Sequence, residues 1–257
     1  MERDMDPTDE RRHGGRGYSL EPLPGAPDLP GSVVIRQEGD EALDALLEDL
    51  VAHAQACVRE FGDFHLALPG GGAMEPVFVR LMIDPRFRAL PWKRTHLWLL
   101  HEQRGVPVAK RAYRDIEEII LDHADIPPEQ ALPIDLDQRQ PAEHYEKQIR
   151  LALEWREPGH DRLDAALLDL SLHLPIEEAP KGRLVYDTTA TAGGDPLVML
   201  TPEFLRTARL ISVLATGAHN RDRIAALAGR SPQKRWALAP LRGELRWYVD
   251  TDSSGSA

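Results

Sequence analysis

The sequence is poor in several things, and each shortage excludes a class. It has one cysteine, Cys57, among 257 residues, so no disulfide closes within the chain. No Cys/His cluster has the spacing of a structural zinc site, and no metal is expected. No run approaches the ~20 apolar residues that a membrane-crossing helix needs, and the first residues lack the apolar core of a signal peptide. Basic charge is also short. Lys+Arg 31 against Asp+Glu 42 leaves a net charge of -11, which argues against the dominant basic surface of a general nucleic-acid or anionic-membrane binder. There is no internal repeat, no Walker loop and no Gly-x-Ser-x-Gly elbow. These shortages leave a soluble globular protein in a reducing, cytoplasmic setting.

What is present is a chain with 42% apolar residues, long enough for a sizeable core. Residues 1–30 are charged and rich in Gly and Pro and read as a flexible extension; residues 251–257, TDSSGSA, read as a loose tail. Between them, residues 31–250 form one domain. Apolar runs of strand length alternate there with helical patterns, which predicts an α/β fold of three layers around a largely parallel, Rossmann-like sheet. Strands are expected at 32–37, 64–68, 95–100 and 163–168, with further strands at 184–186, 197–200, 210–215 and 244–249 completing the same sheet. Helices are expected at 40–61, 74–83, 111–123, 142–154 and 220–227.

Parallel sheets bind ligands outside the carboxyl ends of their strands, so the loops after Leu68, Leu100, Leu168 and Ala215 carry the chemistry. The first holds Gly70, Gly71 and Gly72 before a helix, which suits either a backbone cradle for an anion or a tight turn. After the next strand come His101, Glu102 and Arg104: an imidazole, a carboxylate and a fixed cation. They offer a proton carrier and an anion clamp, or a surface salt bridge. The third loop holds Ser171 and His173 between leucines, where an imidazole is either packed or catalytic. The fourth, Thr216 to Arg221, is a second glycine-containing turn, with Arg221 able to hold an anionic group.

The order of these motifs resembles the 6-phosphogluconolactonase family, whose relatives include glucosamine-6-phosphate isomerase/deaminases. The resemblance is carried by Leu68 to Pro76 (LPGGGAMEP), Trp92 to Pro107 (WKRTHLWLLHEQRGVP) and Tyr113. Leu121 to Glu129, Pro141 to Glu146, Ala215 to Ala218 and Gly243 to Asp250 (GELRWYVD) continue it. It implies hydrolysis of the ester of 6-phosphogluconolactone in the oxidative pentose phosphate pathway, without metal or organic cofactor. The implied partner is a small phosphosugar, held by the glycine loop and basic side chains, with a His in a Gly-x-Gly-x-Asp-Gly-His-Thr loop activating water.

The chain departs from that pattern in places that matter. Asp169 to Pro175 (DLSLHLP) has no glycine, and Pro175 stands where the motif's His belongs. Gly72 and Ala73 replace a Ser and a Thr, Glu102-Gln103 replaces Asp-Glu, and Asn220 replaces a Lys. Two readings follow. Either His173 or His101 supplies the base, with Glu102 beside it, or the protein binds a phosphosugar or another protein without hydrolysing it. An isomerase or deaminase of an amino-sugar phosphate is a third reading on the same fold.

Overall fold

The computed structural model describes residues 25–72, 74–171, 179–188, 196–229 and 240–255. Seven strands make the main sheet: β1 (Ser32–Arg36), β2 (Phe64–Leu68), β3 (Thr95–Leu99), β5 (Ala131–Leu132), β6 (Ala165–Asp169), β9 (Leu210–Ala215) and β10 (Glu244–Asp250). Their order is β1-β10-β9-β6-β2-β3-β5, and every pairing is parallel. All five residues of β2 are buried, as expected of a central parallel strand covered on both faces.

Helices α1 (Gly39–Phe61), α2 (Glu75–Ile83), α4 (Pro141–Leu153) and α6 (Arg221–Ala228) flank the sheet. α1 forms because Leu43, Leu46, Leu47, Leu50 and Ala54 recur on one face, all buried, against β1, β2, β9 and β10. Glu38 and Glu41 close its first turn as a capping box, and Gly62 at φ 90° ends it. Each of the fully buried leucines contributes about 1.5–3 kcal/mol by leaving water. A carboxylate at Leu46, which is 0% exposed, would break the packing.

The structure differs from the sequence reading in several places. The strands at Val185–Asp187 (β7) and Leu197–Leu200 (β8) do not join the main sheet. They pair antiparallel with each other and with β4, His101–Gln103, in a second sheet of order β4-β8-β7. Strands of three or four residues carry too little periodicity to reveal their direction or partner. His101 to Gln103 is therefore a strand rather than a loop; the Leu100 N–H donates to the Leu68 carbonyl at 2.9 Å and the Leu100 carbonyl accepts from the Leu200 N–H at 2.9 Å, joining the two sheets. The helix expected at 111–123 is a short α3 (Ala112–Ile116) that widens into a π turn at Glu117–Leu121. Past β10 the chain is not loose at once. Thr251–Ser254 forms a helical turn, α7, because the Asp250 carboxylate accepts from the Ser253 N–H at 2.8 Å. A further turn, α5 (Pro202–Leu205), is capped by Thr201.

Charges gather at the amino ends of the strands. Arg156 lies between Asp63, just before β2, and Asp164, just before β6. Its Nε donates to Asp63 at 3.0 Å, its Nη1 and Nη2 donate to Asp164 at 3.0 and 2.7 Å, and its Nη2 also pairs with Asp63. Arg209 adds a bond to Asp164 at 3.1 Å. All three of Asp63, Arg156 and Asp164 are buried, which is tolerable only because each is paired and hydrogen-bonded.

Candidate active site

The chain leaves β2 toward β3 on one side and leaves β6 toward β9 on the other. Adjacent strands whose connections diverge leave an opening at their carboxyl ends. A crevice of about 570 Å³ lies there. Its walls are Glu38 and Asp40 from the turn after β1, Gly72 from the loop after β2, Asp169 and Ser171 after β6, and Thr216 and His219 after β9. Leu43, Val77 and Leu214 form its apolar part. A larger groove of about 950 Å³, lined by α4 residues such as Lys147 and Leu151 and by Arg162 and Phe204, includes none of the four loops named above.

The three glycines serve different ends. At Gly70 a Cβ would lie 2.0 Å from the Ala112 carbonyl oxygen, so this glycine lets the loop press against the first turn of α3. Gly71 has φ 99°, and Gly72 lines the crevice. Glu102 secures the same contact from the other side. It is buried, and its carboxylate accepts from the Ala112 N–H at 3.0 Å and the Tyr113 N–H at 3.2 Å. Glu102 therefore bonds the first turn of α3 beside the glycine loop and is not among the residues that line the crevice.

The other expected residues are dispersed. Arg104 donates to Asp187 on β7 through Nε at 2.9 Å and through Nη2, so its charge is already paired. The Arg221 Nε donates to the Asp252 carbonyl at 3.0 Å, beside α7, and Arg221 is not on the crevice wall. The His101 Nδ1 is buried, with no hydrogen-bond partner among the described residues. Burial pushes the His101 imidazole down to about 4, which makes it a weak base at neutral pH. His173 lies outside the described residues.

His219, Asp169 and Ser171 line the crevice together with Gly72. The Asp169 carboxylate accepts from the Ser171 N–H at 2.6 Å and pairs with the Ser171 hydroxyl. The Asn220 amide donates to the Thr216 carbonyl at 2.9 Å and to the His219 Nε2 at 3.2 Å, which leaves the proton of a neutral ring on Nδ1. That ring folds back over Gly217, whose missing Cβ would lie 2.9 Å from Nδ1. Glu38 and Asp40 were not read from the sequence; the parallel pairing of β1 with β10 opens the end of β1 on the same side.

Among the described residues one cluster has metal-like spacing: Asp63, His65 and His96, with ligand atoms within 4.8 Å of one another. It lies at the amino edge, away from the crevice. The Trp98 indole donates to the His65 Nδ1 at 3.0 Å, which puts the ring proton on Nε2, and that proton is shared with Asp63 at 2.8 Å. Arg156 holds the other Asp63 oxygen. The His65 and His96 rings stack at 4.4 Å; His65 and Asp63 are engaged in hydrogen bonds, whereas the buried His96 Nδ1 has no partner among the described residues.

Residues 37–247 match the family model for glucosamine-6-phosphate isomerases/6-phosphogluconolactonases. The chain belongs to this family. Among curated relatives, the human GDH/6PGL endoplasmic bifunctional protein is 28% identical over 245 residues, covering 86% of this chain and 30% of that protein. The protein of the same name from Oryctolagus cuniculus is 26% identical, with 93% and 33% covered. The chain thus spans about a third of the length of these relatives. Among solved structures, 6-phosphogluconolactonase from Thermotoga maritima aligns at TM-score 0.68 with 23% identity, over 85% of this chain and 99% of that one. The 6-phosphogluconolactonase from Trypanosoma cruzi aligns at 0.71 with 19% identity, over 89% and 97%. A monomeric glucosamine-6-phosphate deaminase aligns at 0.69 with 14% identity, over 87% and 98%. Both branches of the isomerase/lactonase family share the fold, so the fold does not choose between them. Among the described residues, no helix is long and apolar enough to cross a membrane.

Proposed function

We propose that the chain is a sugar-lactone ester hydrolase of the 6-phosphogluconolactonase type, acting in the crevice between β2 and β6. The observation that carries this reading is the set of groups on adjacent strand ends: the glycine loop at Gly72, the Asp169–Ser171 pair, and His219. In this reaction water attacks the lactone carbonyl, the ring C–O bond breaks, and one water proton passes to the departing ring oxygen. Asp169 and His219 are the proton-handling groups of this proposal, since a carboxylate and an imidazole on one cavity wall meet the needs of general acid–base catalysis. Because δ-lactones open unaided in water, a modest contribution from such a pair is sufficient. The cytoplasmic placement belongs to the same proposal and is supported by a lone, buried thiol.

The test is the rate at which purified protein opens 6-phosphoglucono-δ-lactone to 6-phosphogluconate, measured against the spontaneous rate. Acceleration is expected, with kcat reduced about 10²-fold or more by Asp169→Asn and by His219→Asn, and little changed by His101→Gln. No acceleration at high protein concentration would overturn the hydrolase reading. The non-hydrolysing reading, a binder of a phosphosugar or a protein, is favoured by the burial of His101 and by the pairing of Arg104 with Asp187. Thermal stabilisation by 6-phosphogluconate without turnover would support it. Ammonia release from glucosamine 6-phosphate would favour the isomerase/deaminase branch instead.

A further inference from the structure

We infer that Asp250 is a positioning residue for the reaction proposed above: from behind the crevice wall its carboxylate sets the turn that carries Thr216 and His219. The inference rests on the hydrolase reading and adds to it a residue that does not line the crevice.

The ends of three neighbouring strands meet at Asp250. It is the last residue of β10 and stands opposite Arg36 at the end of β1, while Val249 beside it stands opposite Ala215 at the end of β9. Both flanking strands run into crevice-lining turns: Glu38, Gly39 and Asp40 after β1, Thr216 and His219 after β9. Asp250 itself is 5% exposed and is not among the lining residues. It acts on the wall from the rear, through the turns it holds.

The hold on the β9 turn is direct. The Gly217 N–H donates to both carboxylate oxygens, Oδ1 at 3.0 Å and Oδ2 at 2.9 Å. Gly217 has φ 82°, a conformation that glycine enters and leaves freely, so the turn needs an outside anchor. A carboxylate supplies a stronger one than a neutral acceptor does. The His219 Nδ1 lies 2.9 Å from where a Gly217 Cβ would stand. A swing of Gly217 therefore moves the peptide against which the imidazole rests.

The β1 turn is fitted to the same carboxylate. A Cβ on Gly39 would lie 3.2 Å from the Asp250 Oδ2 and 3.4 Å from the Thr216 Cβ, so glycine at this position lets the start of α1 close on the anchor. Asp250 also accepts from the Ser253 N–H at 2.8 Å as the cap of α7, and its own N–H donates to the Ser253 Oγ at 3.1 Å. That cap is weakened through Ser253 without touching the Gly217 bonds. The two roles of Asp250 are thus separable.

The experiment measures kcat and KM on 6-phosphoglucono-δ-lactone for the full chain, for Asp250→Asn and for Ser253→Ala, with a thermal melt of each. The amide of Asp250→Asn keeps one acceptor oxygen but turns an NH2 group toward the Gly217 N–H. Its kcat is expected to fall about tenfold or more with KM changed less than about twofold, since about 1 Å of misplacement costs up to about a hundredfold. Ser253→Ala is expected to lower the melting temperature and to leave kcat within about twofold. A folded Asp250→Asn with wild-type kcat, or an equal loss of kcat in the two variants, would overturn the inference and leave the hydrolase reading standing. A second readout needs no turnover. The histidine-ring NMR signal that His219→Asn removes should shift in Asp250→Asn, while the His65 and His96 signals stay in place. If Asp250→Asn does not fold, Gly39→Ala, which pushes a methyl group toward the same carboxylate, is expected to move the His219 signal alone, and a stationary signal would overturn the inference. Should the wild type accelerate nothing, the hydrolase reading falls; a shifted His219 signal then keeps Asp250 as the residue that places the imidazole, and an unshifted one overturns that as well.

Discussion

The two edges of the main sheet treat charge in opposite ways. At the amino edge Asp63, Asp164, Arg156 and Arg209 are brought together and bonded to one another, with the His65 N–H also donating to Asp164 at 2.8 Å. At the carboxyl edge Glu38, Asp40 and Asp169 surround a cavity whose wall, among the described residues, holds no lysine or arginine. Satisfied charges specify how strands meet. Charges that face the cavity are only partly engaged, Asp169 by Ser171 and the exposed Asp40 by Arg80 at 3.3 Å, and stay open to a ligand. The difference separates the part of the molecule that holds the fold from the part that meets a ligand, and each side can be tested.

The largest effect is expected from Arg156→Met, which leaves two buried carboxylates without their shared partner. Stability should fall by about 3–5 kcal/mol in denaturant unfolding, and a loss below about 1 kcal/mol would deny the amino edge its structural role. Next comes Gly70→Ala, which forces a methyl group into the Ala112 carbonyl. It is expected to cost about 1–3 kcal/mol and to lower kcat together with stability, because it moves the glycine loop.

A third prediction concerns pH. Burial, with the adjacent His65 ring, pushes His96 from its ordinary 6.5 down to about 4, and burial alone does the same to His101. Between those values the unfolded chain binds protons that the folded chain refuses, so stability should fall as pH drops from 6.5 toward 4. Asp63 adds to the loss at the acid end. Burial alone would raise its carboxyl, but His65 and Arg156 hold it below the ordinary 3.8, so its contribution is present above that value and fades as pH falls through the folded one. His96→Gln should give a shallower decline in thermal midpoint across the same window, and an unchanged slope would exclude the amino-edge stack as its source. The smallest effect is expected from Arg104→Ala. Its pair with Asp187 is partly exposed, so the loss should be under about 1 kcal/mol, and a large drop in activity would return Arg104 to the site.

Much of the main sheet was legible because its strands are long apolar runs. The expected bounds of β2 and β9 coincide with those observed. The second sheet was not legible, since His101–Gln103 and Val185–Asp187 have three residues each and owe their structure to each other's neighbours. The amino-edge network was hidden for a different reason. Asp63 and Arg156 are 93 residues apart, and nothing local in either segment announces the other. At the site, the position of the glycine loop followed from strand–turn–helix punctuation, and the loops holding Ser171 and His219 were already marked as ends of strands. The role of Glu102 did not follow, because a carboxylate that caps a helix and one that moves protons have the same letter. Glu38 and Asp40 were masked by their fitness as first-turn helix residues.

The position of β10 carries a consequence for how the molecule comes into being. Among the described residues β1 pairs with β10 alone, from Ser32 opposite Arg246 to Arg36 opposite Asp250. An early-made strand must therefore wait, unpaired, until residues 244–250 have left the ribosome. Closing so long a loop delays the pairing, and an unpaired edge is a site for misassociation while it waits. The sheet can grow from β2 and β3 during synthesis, but its β1 edge is completed only after β10 arrives, and so is the wall of the crevice that holds Glu38 and Asp40.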